Sequence, residues 1–393
     1  MTVVDPVPPS DPSQRVGTRL AAAALALVAF ALNLNTNVLG ALLPFLPAAW
    51  TEAGGGKLLL AAAAVGSAFG ALAAGPLAAR RGRRATLLGG LSVFVVTSAL
   101  HAVAPAFEWF LALRLVSGFA VGLAYATASA LVAELWPYAH RGRAMSTFTA
   151  AMFLAIPLGL PAAVALARAD VWVGIFVVQA AVGGLGLWFA LRAVPRTAPI
   201  ERVGGGFAVV VVPGVAAALA ATMLHVGSFF VTVQLASVWL DEQGLVAKEQ
   251  QLWLWVGLGV VSVLGSAVLG PLSDRVGKRN FVLLTSIVLV ASFAVMARGP
   301  AVEVLAGCGV LLAATAAART GPLQALVSNL VPSDRYAAVM GLRGFAMQAG
   351  VALFALAAAP IAAEFEFRGV LILAAACQFG SYVAIRFGVR ERR

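Results

Sequence analysis

Long apolar stretches separated by short polar segments run along the whole 393-residue chain. Each stretch holds at least about 20 residues, the length that a helix needs to cross the hydrocarbon core of a bilayer. The apolar positions are continuous rather than alternating, which favours helices over the strands of an outer-membrane barrel. The pattern therefore predicts an all-α membrane protein with twelve transmembrane helices. The twelve stretches lie near residues 19–48, 57–79, 84–104, 108–136, 143–167, 171–192, 207–240, 250–272, 279–298, 301–331, 336–363 and 367–388.

A ten-residue basic loop occurs twice, 195 residues apart, at Gly75–Arg84 and at Gly270–Arg279. The same offset places Pro105 on Pro300 without any gap. A very apolar chain with one loop repeated at a constant offset contains two homologous halves. We therefore expect two pseudo-symmetric six-helix bundles, an arrangement in which many transporters bind their solute between the halves.

Composition and charge exclude a soluble protein and set the orientation. Charged residues make up only 11% of the chain, whereas a soluble domain has about a quarter. With the N-terminus placed inside, 19 of the 27 Lys and Arg residues fall on the inner side, 5 on the outer side and 3 within helices. This bias predicts a multi-pass protein of the cytoplasmic membrane with both termini in the cytoplasm. The net charge of +11 then reflects contact with the lipid bilayer and not with nucleic acid.

The resulting organisation has four parts. A Pro-rich N-terminus predicts a disordered cytoplasmic tail, and a short stretch rich in Pro and Gly in the middle of the chain predicts a linker between the bundles. The predicted parts are the tail at 1–18, the N-terminal bundle at 19–192, the cytoplasmic linker at 193–206 and the C-terminal bundle at 207–393.

Twelve helices in two halves, together with the repeated loop, resemble the major facilitator superfamily of secondary transporters over essentially the whole chain. In that family the loop between the second and third helices reads Gly-x-Leu-Ala-Asp-Arg-x-Gly-Arg-Arg. Arg114, Gly118 and Gly122 are similar to a pattern in the family's fourth helix. Pro157 and Gly159 only loosely resemble the Gly-Pro motif of its antiporters, because the order differs.

The repeated loop has the residue types of a cytoplasmic gate. Glycines permit a tight turn, basic residues hold the interface, and an acid can lie against the positive N-terminus of a helix. Ala79 stands where the family has the acid in the first copy, whereas Asp274 keeps it in the second, so we expect a weaker charge latch at the first copy. The alternative is that the basic residues only set topology. The predicted gating residues are Gly75, Arg80, Gly82, Arg83, Arg84, Gly270, Asp274, Arg275, Gly277, Lys278, Arg279 and Arg343.

Four ionisable residues lie deep in predicted helices, and none of them is an acid: Arg114, His225, Arg319 and Arg343. Ionisable groups at such depth face a partner or an aqueous cavity. The resemblance implies that helices one, four, seven and ten line the solute cavity. Arg114 and His225 also have structural interpretations, as a hydrogen-bonded and as a packed side chain. The predicted solute-binding residues are Asn33, Asn37, Arg114, Tyr125, His225, Phe229, Thr232, Thr315 and Arg319.

The resemblance implies a transporter that moves a small organic solute by alternating access, outward as in drug and metabolite exporters. Several arginines without a cavity acid favour an anionic solute. Proton-coupled efflux of amphipathic drugs and transport of a sugar-like metabolite are the alternatives. Protons are a candidate coupling ion, because the reference pKa of histidine, about 6.5, suits His225 to that task. Scattered histidines and the lack of a nucleophile constellation argue against an enzyme, no metal or other cofactor is expected, and a monomer is expected.

Overall fold

The computed structural model describes residues 12–51, 55–196, 206–244, 246, 248–299 and 301–391. Within these ranges the regular structure is entirely helical. Much of the predicted tail at 1–18 and the centre of the predicted linker at 193–206 lie outside the described residues.

The described part of the first half contains eight helices, seven of which form six candidate spans. One span bends at Leu154, so α6 and α7 together form the candidate span Tyr138–Arg168. The helices are α1 (Pro12–Leu42), α2 (Ala48–Thr51), α3 (Gly55–Arg81), α4 (Arg83–His101), α5 (Phe107–Leu135), α6 (Tyr138–Phe153), α7 (Ala155–Arg168) and α8 (Gly174–Ala193).

The second half repeats this order with one irregular span. A π-helix at Gly265–Leu269 and a 3-10 turn at Gly270–Leu272 join α10 to α11 within the candidate span Gln250–Val276. The helices are α9 (Val215–Glu242), α10 (Lys248–Leu264), α11 (Ser273–Val276), α12 (Lys278–Met296), α13 (Val302–Ser328) and α14 (Tyr336–Gly388).

The described residues contain eleven candidate spans, and the last of them is too long to cross once. Ser333–Gly388 has 56 residues, which would measure about 84 Å as a single helix against a hydrocarbon core of about 30 Å. Glu366, with φ 54° and ψ −160°, interrupts the helix within α14. The segment therefore supplies two spans, which confirms the prediction of twelve transmembrane helices.

The chain forms two compact units. Unit 1 comprises Met1–Tyr138, Ala151–Val209 and Pro332–Phe345, and unit 2 comprises Ala139–Ala150, Val210–Val331 and Ala346–Arg393. The two exchanged segments are related by the repeat, because the offset of 195 residues places position 150 on position 345. Each half thus gives the start of its fifth helix to the unit formed mainly by the other half. The bundle limits predicted from the sequence remain a prediction.

Reciprocal glycines allow α3 and α5 to pack backbone against backbone. A Cβ on Gly122 would lie 2.7 Å from the carbonyl carbon of Ser67, and one on Gly70 would lie 2.7 Å from that of Phe119. Gly66 and Gly118 are equally close to the facing helix. Small residues at such contacts are how membrane helices gain dispersion energy without a hydrophobic driving force.

We predict that Gly122→Val destabilises the folded protein, because its side chain would overlap the backbone of α3. Overpacking of this kind costs about 1–3 kcal/mol. Gly89→Val is the matched control, since a Cβ on Gly89 meets nothing within 4 Å. The melting temperature of the purified protein in detergent should fall for Gly122→Val only. Equal melting temperatures for the two variants would contradict this view of the interface.

Candidate functional site

Arg114 in unit 1 is held by a single asparagine. It lies on α5 and is 1% exposed. Its Nη1 donates to Asn35 Oδ1 at 2.9 Å, and its Nη2 donates to the Asn35 carbonyl oxygen at 3.2 Å. Among the described residues no carboxylate forms an ion pair with Arg114, and its Nε has no hydrogen-bond partner. The guanidinium charge is therefore buried against neutral oxygens.

Asn35 was not among the predicted site residues, whereas its neighbours were. Asn33 Nδ2 donates to the Met152 carbonyl at 2.7 Å, and Asn37 Nδ2 donates to the Asn33 carbonyl at 2.9 Å. Spacing of four residues does put Asn33 and Asn37 on one face, but that face is not the one that meets Arg114. The available signal was the interruption of an apolar stripe, since Asn35 lies one turn from Leu39 on the buried side of α1.

Arg319 in unit 2 has a larger set of partners. It lies on α13, is fully buried, and donates from Nη1 to Gln378 Oε1 at 3.2 Å and from Nη2 to Ser381 Oγ at 2.7 Å. His225 Nδ1 lies 3.2 Å from the same Gln378 oxygen. Gln378 in turn donates from Nε2 to Ser228 Oγ at 2.9 Å. The structure thus brings two predicted residues, Arg319 and His225, onto one shared amide.

Gln378 and Ser381 are polar residues three positions apart in the last helix, and sequence reasoning missed them. The signal was their spacing, which places both on one face of an otherwise apolar segment. The remaining predicted residues of unit 2 lie nearby in sequence. Phe229 stacks on His225 with ring centroids 6.4 Å apart, and both Thr232 and Thr315 are buried. Thr315 precedes Arg319 by one helical turn.

The other predicted polar pair lies in unit 1. Tyr125 on α5 is half-buried and accepts a hydrogen bond from Arg343, which is 2% exposed at the start of α14. Arg343 was predicted as a gating residue and Tyr125 as a solute-binding one. The structure places them in direct contact.

The two copies of the basic loop share their backbone geometry. Gly82 has φ 82° and Gly277 has φ 93°, a left-handed conformation that favours glycine at the start of α4 and α12. Arg84 donates to the carbonyl of Leu191, and Arg279 donates to that of Arg386. The offset of 195 residues relates both donors and both acceptors. The duplication is therefore preserved in contacts as well as in sequence.

Asp274 binds the N-terminal end of α6. Its Oδ1 accepts from the Gly142 amide at 3.0 Å, its Oδ2 accepts from the Arg143 amide at 2.9 Å, and Lys278 Nζ lies 2.8 Å from Oδ1. A negative charge at this end of a helix is stabilised by the helix dipole and by the free amides. A Cβ on Gly142 would overlap the carboxylate, so the contact requires glycine there.

The first copy compensates for Ala79 with an acid from another helix. Arg83, the equivalent of Lys278, forms an ion pair with Glu134 at the end of α5 and donates to the Ser333 carbonyl. Ala79 itself is buried. That the charge latch is weaker at this copy remains a prediction, although the basic residue, Arg83, has an acidic partner.

The other predicted gating residues divide into packed and exposed ones. A Cβ on Gly75 would lie 2.8 Å from Ala338 Cα, and one on Gly270 would lie 2.6 Å from Ser146 Cβ, so both glycines mark close helix contacts. Arg80 is exposed. Arg275 is likewise exposed.

The sequence matches one known protein family over nearly its whole length. The family model described as Major Facilitator Superfamily matches residues 25–248 and 217–392. The chain belongs to this superfamily. It is a multi-pass membrane protein of a transporter family, as the repeated loop predicted.

Two curated superfamily members show partial similarity. The 4-hydroxybenzoate transporter PcaK from Pseudomonas aeruginosa is 34% identical over 136 residues, which are 34% of this chain and 29% of that protein. The multidrug transporter MdfA from Yersinia pestis is 32% identical over 130 residues, which are 32% of this chain and 31% of that protein. The chain therefore matches less than a third of the length of each of these two relatives.

A solved structure agrees over its full length. The crystal structure of the human organic anion transporter MFSD10 (TETRAN) has a TM-score of 0.77 and 19% identity, with coverage of 95% of this chain and 100% of that one. At this level of identity the likeness shows the fold, which is the two-bundle major facilitator fold.

We predict that Asp274→Asn shifts the conformational balance of the transporter toward cytoplasmic opening. The asparagine side chain has the shape of aspartate but no charge. Its NH₂ group would also face the backbone N–H of Gly142 or Arg143, so one of these two hydrogen bonds is lost. The contact is worth about 1–2 kcal/mol, so the population ratio should change about 5- to 30-fold. Double electron–electron resonance between spin labels on the cytoplasmic side measures this ratio.

Two variants complete the test. Ala79→Asp should shift the distances less than Asp274→Asn does, because Arg83 already has Glu134 as its partner. Glu303→Gln is the control, since it neutralises an exposed acid. An unchanged distance distribution in Asp274→Asn would show that this carboxylate has no gating role.

Proposed function

We propose that this protein is a secondary transporter that moves a small organic anion bearing a carboxylate across the cytoplasmic membrane by alternating access. Export is the proposed direction, taken from the resemblance to drug and metabolite exporters. The observation that supports an anionic solute is the state of Arg114 and Arg319. Each unit buries one of these arginines against neutral partners only, among the described residues.

The energetic argument starts from the charge. Burying a guanidinium costs several kcal/mol, and neutral acceptors offset only part of that cost. In both Arg114 and Arg319 each Nη group donates one hydrogen bond to a neutral oxygen among the described residues, which leaves the second N–H of each Nη for a solute. A guanidinium binds a carboxylate through two parallel N–H groups. A carboxylate solute would supply the countercharge that the protein itself does not provide.

Similarity to PcaK supports the same class. That relative is named as a 4-hydroxybenzoate transporter, and its solute is a hydroxylated aromatic carboxylate. Phe229, stacked on His225 in the Arg319 network, offers a ring that an aromatic solute could pack against. We therefore propose aromatic carboxylates as the first solutes to test.

Drug efflux is the second candidate function. The similarity to MdfA, named as a multidrug transporter, favours it, and so does the fact that both arginines already have protein partners. In that case Arg114 and Arg319 stabilise the bundles, and the solute is an amphipathic molecule without a required carboxylate. A sugar-like solute would likewise need no guanidinium partner.

We expect proteoliposomes containing the protein to transport radiolabelled 4-hydroxybenzoate, and Arg319→Gln to weaken that transport. Hydrogen bonds to charged groups are worth about 1.5–3 kcal/mol, so the apparent affinity should fall about 10- to 100-fold. Arg114→Gln should behave alike, and Arg298→Gln, at an exposed position, is the control. The neutral analogue 4-hydroxybenzyl alcohol should not compete. Transport of lipophilic drugs that carboxylates do not inhibit would favour the efflux function instead. Comparison of vesicles with the protein inserted in opposite orientations gives the direction of transport.

We further predict that His225→Gln uncouples accumulation from a pH gradient. His225 and Arg319 share the Gln378 oxygen, so a proton on His225 adds a second positive charge beside the guanidinium, and a bound anion would offset both. The variant should exchange solute but fail to accumulate it against a gradient. His140→Gln, at an exposed histidine, is the control. Full pH-driven accumulation by His225→Gln would exclude this histidine as the proton carrier.

A further inference from the structure

Three buried aromatic rings, one from each of three helices in unit 1, contact one another. His101 on α4 contacts Phe110 on α5 with ring centroids 4.8 Å apart and stacks on Phe176 of α8 at 5.0 Å. Phe110 and Phe176 contact each other at 5.4 Å. None of the three is more than 1% exposed. The rings therefore form one closed aromatic layer across α4, α5 and α8.

One turn from this layer each helix presents a buried polar residue. Ser98 precedes His101 by three positions, Arg114 follows Phe110 by four, and Gln179 follows Phe176 by three. Because consecutive spans cross in alternate directions, α4 runs opposite to α5 and α8, and all three steps lead to the same side of the rings. Spacings of three or four residues keep each step on one helix face. Ser98, Arg114 and Gln179 therefore lie at one level.

These residues have polar atoms without partners among the described residues. The atoms are Ser98 Oγ, His101 Nε2, Arg114 Nε, and both Nε2 and Oε1 of Gln179. Gln179 is fully buried, and Ser98 is 1% exposed. An unsatisfied buried group costs about 1–3 kcal/mol, so several at one level call for a ligand that satisfies them together.

Another buried aromatic ring lies on the opposite side of the level that contains Ser98, Arg114 and Gln179. Phe94, one turn before Ser98, is fully buried and packs against Gly183, where a Cβ would lie 2.7 Å from Phe94 Cε1. Gly183 follows Gln179 by one turn on α8. With aromatic rings on both sides, the level admits only a ligand of one or a few atoms.

The balance of donors and acceptors identifies that ligand. His101 Nδ1 lies 2.6 Å from the Thr97 carbonyl, so Nδ1 holds the proton of the neutral ring and Nε2 is an acceptor. Gln179 Oε1 is a second acceptor. Ser98 Oγ–H, Arg114 Nε–H and Gln179 Nε2–H are donors. One water molecule donates two hydrogen bonds and accepts two, so it can satisfy both acceptors and two of the three donors, whereas an anion would be repelled by the two acceptors.

We propose that Ser98, His101, Arg114 and Gln179 bind a structural water molecule that holds the Nε of Arg114, in addition to the contacts that Asn35 makes with its Nη groups. In this arrangement Ser98, His101 and Gln179 are positioning residues for Arg114. The site lies wholly within unit 1 and does not depend on which solute the protein moves.

Nuclear magnetic resonance of protein labelled with ¹⁵N at arginine tests the proposal. The Arg114 Nε–H signal, assigned with Arg114→Lys, should shift and exchange faster with solvent in Gln179→Leu and in Ser98→Ala. The Arg319 signal should stay unchanged in both variants, because Arg319 belongs to unit 2. Ser129→Ala is the control variant, since the Ser129 hydroxyl already donates to the Tyr125 carbonyl. An Arg114 signal unaffected by both variants would overturn the proposal.

X-ray hydroxyl-radical footprinting gives a second, independent measurement on the wild-type protein. Rings beside a bound water are oxidised despite burial, so Phe110 and Phe176 should be labelled while the buried Phe293 of unit 2 is not. Gln179→Leu should abolish labelling of both rings. Absence of labelling in the wild type would overturn the proposal. An anomalous signal at this level from crystals grown in bromide would also overturn it, by showing an anion site.

Discussion

Hydrocarbon offers no hydrogen bonds, so every polar group inside the bilayer has to find its partner within the protein or in a bound molecule. For most of the chain this constraint is met by the helix backbone itself. It becomes demanding at Arg114 and Arg319, whose guanidinium groups are fully desolvated. Among the described residues both guanidinium groups donate to amide and hydroxyl oxygens and not to carboxylates.

The two units answer the same constraint in different ways. Arg114 depends on one asparagine of a neighbouring helix, whereas Arg319 belongs to a network that also includes His225 and Gln378. The duplicated loops likewise combine equivalent and different contacts. Their glycines and their carbonyl-bound arginines are equivalent, but the acids come from different places, Glu134 in one copy and Asp274 in the other. The two loop copies therefore share their backbone geometry but differ in the position of the acidic residue that pairs with the basic one.

Hydrophobic periodicity and the repeated loop were enough to predict the helices and the two-fold organisation, and the loop glycines were expected to permit a tight turn, as Gly82 and Gly277 do. These features are local, since they depend on the length of an apolar run or on the conformation of one residue. Partners across helices were harder to predict. Asn33 and Asn37 have the right spacing, yet Asn35 binds Arg114, because the rotation of α1 about its axis is set by packing against α5, α7 and α8. Gln179 and Gln378 were missed for the same reason, as single amides in apolar helices.

A shared amide makes the Arg319 network sensitive to charge. Gln378 Oε1 accepts from Arg319 and faces His225 Nδ1, so it is polarised by both groups at once. In a low-dielectric interior a proton added to His225 and a negative charge added near Arg319 would each change the field at the other. Their effects have opposite sign, so the two events favour each other. If the protein moves an anion as proposed, binding of that anion and protonation of His225 would be linked through contacts that lie wholly within unit 2, without any movement being required to connect them.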